Sequence, residues 1–196
     1  IYRFTVDVTK GNTKAVLTVE KVGKVDLPAP DIFFGNDKME VTDTDIYKSE
    51  QAFTQGQMIT VTGIDNLNEW WIDPDFFEKQ SDGALKFLPI NGDYRVTANA
   101  VLKYFSVMAL KDGKPAKLQD DGTGAIWAIG KGIGKPSVAS SEVGWEPGKA
   151  LCLAQVAPKK YQLTLKAGET LKTSGDPEVI SFKSVSYTHL RAHETR

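Results

Sequence analysis

No window of this chain carries a sustained 3.6-residue apolar period of helix length, and that absence most narrows the folds open to it. Short β-branched and aromatic runs take its place, each closed by Gly, Asn, Asp or Pro. Residues 3–8 alternate, Lys10-Gly11-Asn12 turns, and residues 15–22 alternate again, which predicts a hairpin. Further strands are expected at 31–34, 47–53, 58–62, 70–72, 84–89, 94–99, 104–110, 125–129, 151–154 and 161–166. Residues 75–79 offer one helical turn at most. The expectation is an all-β chain of tandem immunoglobulin-like β-sandwich modules.

A short recurrence supports repetition. Tyr2-Arg3-Phe4-Thr5, Tyr94-Arg95-Val96-Thr97 and Tyr161-Gln162-Leu163-Thr164 share the pattern Tyr-x-apolar-Thr. Leu27-Pro28-Ala29-Pro30 is a stiff connector poor in backbone donors, and residues 119–122 form a polar turn. The expected organisation is the C-terminal hairpin of a preceding module (1–23), one complete sandwich (27–118) and the N-terminal part of another module (121–185). Ile1 opens inside a strand-like run without an initiator Met, so the chain is expected to continue upstream, with room for an export signal.

Both histidines, His189 and His193, fall in the closing SYTHLRAHETR, which resembles a translated sequencing adapter. Residues 186–196 are therefore set aside as a non-native tail. A metal pair from those histidines would need further ligands, and the rest of the chain has no histidine to give. Without that tail, Ser-His-Asp and Cys-His catalysis is excluded. With 24 basic against 25 acidic residues and no basic stripe, nucleic acid is not an expected partner. Cys152 is the single cysteine and sits in an apolar run, so it reads as a buried thiol.

Gly130-Lys131-Gly132-Ile133-Gly134-Lys135 fails the spacing of a phosphate loop and precedes Pro136 where a helix would have to start. A loop between strands is expected there. The turn at Asp120-Asp121-Gly122 reads as solvated rather than as a calcium site. No metal and no cofactor is expected.

The densest chemistry lies in NEWWIDPDFF, residues 68–77. Three readings fit: a stacking platform beside hydrogen-bonding groups, a hydrolase centre, or packed core. A glycosidase needs its two carboxyls across a cleft, whereas Asp73 and Asp75 are two residues apart. If extended, Trp70 and Trp71 point to opposite faces. With Ile72 in the core, Trp70 shares its face and Trp71 faces outward. Asn68, Asp73 and Asp75 would then be available to sugar hydroxyls. Trp127 lies in an alternating strand and is expected inside, while Trp145, in a loop-like setting, is a second exposed candidate. No catalytic residue is assigned.

The runs ITVTGIDNLNEWWIDPDFF, LKFLPINGDYRVTANAVLKYFSV, YRFTVDVTKGNTKAVLTVEKV and the long GIGKPS…VGW…GKALCLA stretch resemble modular outer-membrane lipoproteins of Bacteroidetes, related to SusE and SusF, that carry an uncharacterised conserved domain. The resemblance covers residues 1–185. It implies a non-catalytic, lipid-anchored cell-surface protein that captures polysaccharide or oligosaccharide, including starch-like glucans. Its partners would be a neighbouring outer-membrane transporter and lipoproteins. The alternative is a structural or assembly module of that uptake complex with no sugar site of its own. Cys152 is internal and cannot carry the lipid, so the anchor would lie outside this fragment. The aromatic platforms of the starch-binding relatives have no one-by-one match here.

Overall fold

The computed structural model describes residues 2–23, 29–173 and 180–186, and its regular structure is almost entirely antiparallel strand in sandwich-type layers. Its central sheet has the order Lys114–Pro115, Tyr104–Lys111, Gly92–Asn99, Ile46–Phe53, Glu40–Asp43. The period-2 pattern of Gly92–Asn99 sends Tyr94, Val96 and Ala98 inward. Register places Ala98 beside Tyr47 and Phe105, and Val96 beside Ser49 and Val107. Two small three-stranded sheets contribute to the same core: Met58–Ile59 with Leu85–Phe87 and Phe77–Lys79, and Asp37–Lys38 with Phe33–Phe34 and Val61–Thr62. Phe34 meets Phe105 with ring centroids 5.3 Å apart, and Phe53 meets Phe87 at 4.9 Å. Each such buried ring is worth about 1.5–3 kcal/mol.

The glycine run departs from expectation. It is not a loop but the second half of the strand Trp127–Gly134, the axis of a further sheet. Gly130 pairs with Gly144 on one side and Phe182 on the other. A Cβ on Gly130 would lie 2.1 Å from the Ser181 carbonyl, and one on Gly134 would lie 2.4 Å from the Ser141 carbonyl. The missing side chains let neighbouring backbones close in, so these glycines serve packing rather than looseness. Residues 70–72 contribute only a bridge, at Trp71, and residues 77–79 form a strand where a turn was the most expected.

The two stretches that the sequence separates near residue 120 share one core. A single cluster of buried residues runs from Ile32 to Ala154 and includes Phe105, Trp127 and Ile129. Hydrogen bonds join the same halves: Trp127 Nε1 donates to Ala116 O at 3.1 Å, Ile90 N to Gln155 O at 2.8 Å, and Gln55 Nε2 to Val156 O at 3.1 Å. The first hairpin, Tyr2–Asp7 with Val16–Lys21, forms as expected, and every residue of both its strands is exposed. Residues 24–28 of the proline connector and 187–196 of the tail, with both histidines, lie outside the described residues. Among those described, no helix is long and apolar enough to cross a membrane.

Gly130→Ala and Gly134→Ala should each cost about 2 kcal/mol or more, because the clash is with backbone. Gly148→Ala, where a Cβ meets nothing within 4 Å, should change stability by less than about 0.5 kcal/mol. Urea midpoints of the three variants test this.

Candidate functional site

The segment NEWWIDPDFF begins with a tight 3-10 turn, Leu67–Glu69, whose Asn68 N–H donates to the Asn66 side chain at 3.2 Å. Asn68 itself is exposed. Trp70 then turns inward, 6 % exposed, with its ring stacked on Phe105 at 4.7 Å and 22°. The next residue is held by its backbone: Trp71 N donates to Lys103 O at 2.8 Å, and Trp71 bridges to Tyr104. Its side chain remains half-buried, whereas that of Trp70 is buried.

Beyond Ile72 the chain reverses. Asp73 accepts a hydrogen bond from Asp75 N at 3.0 Å, and its carbonyl accepts from Phe76 N and Phe77 N at 3.1 and 2.9 Å. That turn drives Phe76 and Phe77 into the core. It also buries both carboxylates, which are 7 % and 1 % exposed for Asp73 and Asp75.

Buried carboxylates need partners, and Lys135 supplies one to both. Its Nζ lies 2.8 and 2.9 Å from the two oxygens of Asp73 and 2.8 Å from Asp75 Oδ2. Asp75 accepts three further bonds: from Thr164 N at 2.6 Å, Thr164 Oγ1 at 2.6 Å and Gln162 Nε2 at 2.9 Å. Burial pushes the Asp73 carboxyl above its usual range against the pull of Lys135. Burial acts on Asp75 too, but Lys135 and the Thr164 donors outweigh it and hold that carboxyl low. Neither aspartate therefore offers a free oxygen face to a sugar, the role the sequence suggested for them. They converge on one ammonium instead of facing each other across a cleft, as a glycosidase pair would. The sequence reading missed Lys135, Gln162 and Thr164. It had Lys135 only as the end of the glycine run read as a loop, and Gln162 and Thr164 only as part of the Tyr-x-apolar-Thr recurrence.

Above this cluster a concavity of about 360 Å³ opens between the two halves of the core. Trp71, Tyr104, Met108 and Trp127 give it apolar walls, and Asp73 and Lys135 lie at its buried end. Ser140 and Lys149 bring polar groups to its exposed rim. Cys152 also borders it, but burial pushes that thiol up to about 12, so it is a poor nucleophile. Trp71 borders a second, more open depression with Trp70, Pro74, Lys79 and Leu88. One indole thus stands between two concavities. Trp145 lies outside both; it is 46 % exposed, with Lys183 Nζ 5.8 Å from its ring centroid. Among the described residues no group of three His, Cys, Asp or Glu side chains is placed to hold a metal.

A family model described as a domain of unknown function, DUF5125, matches residues 13–118, more than half of the chain. The chain belongs to that family. A second model, also a domain of unknown function, DUF5121, matches residues 121–195, a span that includes most of the tail set aside above. No curated protein and no solved structure matches the chain. The charged cluster joins the two matched regions: Asp73 and Asp75 come from the first, and Lys135, Gln162 and Thr164 from the second.

Removing the shared cation should be costly. Lys135→Met leaves two buried carboxylates facing each other and should cost about 3–5 kcal/mol, read from urea unfolding at neutral pH. The ordinary value for Asp75 is 3.8 and its folded value is lower, so its contribution to stability is present above 3.8 and is lost as pH falls through the folded value. Asp75→Asn should therefore flatten the decline in the urea midpoint as pH falls below about 4.

Proposed function

We propose that this chain is part of a non-catalytic cell-surface glycan-binding protein, with its site in the cleft between the two family regions. The observation that carries this reading is the half-buried Trp71, held by its backbone against Tyr104 and bordering a concavity on each side. A fixed indole presents a flat apolar face to the C–H groups of a pyranose ring, and polar groups at the rim meet its hydroxyls. Ser140 and Lys149 take the hydrogen-bonding part that the sequence had assigned to Asp73 and Asp75. The resemblance to SusE/SusF-like proteins supports the same reading. It adds an outer-membrane location, a lipid anchor outside this fragment, a neighbouring transporter as partner and starch-like glucans as ligands.

A structural or assembly role has an observation of its own. In the first hairpin, alternation places Tyr2, Phe4, Val6, Leu17 and Val19 on one face, and all of them are exposed. A protein whose main task is docking would use such a face and leave the cleft empty.

Affinity electrophoresis against a panel of polysaccharides, followed by calorimetry with the retarding glycan, separates the two. Trp71→Ala should weaken binding by about 2 kcal/mol or more while shifting Tm only slightly. Trp70→Ala should instead cost about 3–5 kcal/mol of folding stability. Retardation by no glycan, or retardation that survives Trp71→Ala unchanged, contradicts the proposal for this cleft.

A further inference from the structure

The Lys135–Asp73–Asp75 cluster holds more than an ion pair requires. The three side chains are 6 %, 9 % and 1 % exposed, so an amine and two carboxyl groups meet with little exposure at the buried end of the cleft. The amine lies 2.8 and 2.9 Å from the two oxygens of Asp73, in contact with the carboxyl group it would join. Asp75 reaches the same nitrogen at 2.8 Å and is fixed there by Thr164 and Gln162.

We propose that Lys135 and Asp73 join autocatalytically in an intramolecular isopeptide bond, with Asp75 as the proton carrier. One ammonium against two carboxylates leaves the cluster with one net negative charge. The reaction needs a neutral amine and a neutral acid, and moving a proton from Lys135 to Asp73 supplies both without changing that net charge. Burial already acts in this direction on the Asp73 carboxyl. The amine lone pair then adds to Asp73 Cγ, forming the C–N bond, while the carbonyl electron pair moves onto oxygen. Asp75 takes a proton from the tetrahedral nitrogen and delivers it to the hydroxyl on Cγ. The C–O bond breaks, the carbonyl re-forms and one water leaves, with Asp75 again ionised. No oxidant, cofactor or activated group is consumed. Holding amine and acid in contact replaces the encounter that makes amide formation slow in solution.

The product would tie the DUF5125 region to the DUF5121 region by a covalent bond between residues 62 positions apart, close to the cleft. Such a link constrains the unfolded chain as a disulfide does, but no reductant opens it. Cys152 is the single cysteine of this sequence, so no disulfide within it serves that purpose.

The test is the mass of the intact folded chain, with peptide mapping after digestion. The expected mass is one water below that of the sequence, and the expected map contains a branched peptide joining Asp73 to Lys135. Mapping is essential, because succinimide formation at Asp82-Gly83, Asp112-Gly113 or Asp121-Gly122 also removes one water. Lys135→Met and Asp75→Asn should both restore the full mass. If neither variant folds, the wild-type map alone decides. A full-length mass in folded wild-type protein, or a water loss mapped to an Asp-Gly pair, overturns the proposal.

Discussion

A buried carboxylate must find a counter-charge or lose its own, and in this protein two of them find the same one. Asp73 and Asp75 are carried inward by the tight turn that buries Phe76 and Phe77, so the core of the first region cannot form without burying them. Their partner is Lys135, at the end of the strand Trp127–Gly134. The requirement for pairing therefore acts across the boundary between the two family regions. Isolated buried ion pairs stabilise little relative to apolar packing, but an unpaired one is strongly destabilising. The cluster thus specifies which surfaces meet more than it strengthens their meeting.

The cleft follows from that specification. Trp71 belongs to the segment just before the buried turn, and Ser140 and Lys149 to the one just after Lys135 in the partner region. Fixing Asp73 against Lys135 sets the distance between these walls. The stack of Trp70 on Phe105 then holds the base of the Trp71 wall, and the bridge to Tyr104 holds its backbone. The proposed platform would need rigidity at low entropic cost, and an indole pinned by its own main chain supplies it.

Much of the β architecture was legible in the sequence because alternation and turn residues encode it locally. The pairing of Gly92–Asn99 with Tyr104–Lys111 and the exposed first hairpin are of that kind. The glycine run was misread because the same residues that loosen a loop also admit a crowded strand, and only the neighbouring backbones of Ser181 and Ser141 distinguish the two. In the site, Trp70 is buried and Trp71 half-buried, in a segment that forms a single bridge and not the strand the sequence reading assumed. The fate of Asp73 and Asp75 was not legible, since it depends on Lys135 and Thr164, 60 and 89 residues beyond Asp75. Local pattern carries no record of such a partner.

The central claim is that the two family regions form one folded body around the Lys135–Asp73–Asp75 cluster, and native-state hydrogen exchange in increasing urea tests it most directly. Amides in the middle of Gly92–Asn99 and of Trp127–Gly134 report on the two regions separately. One body requires their opening free energies to converge on a single global value as denaturant rises. Exchange of the Trp127–Gly134 amides through a separate unfolding, complete while Gly92–Asn99 stays protected, would contradict it.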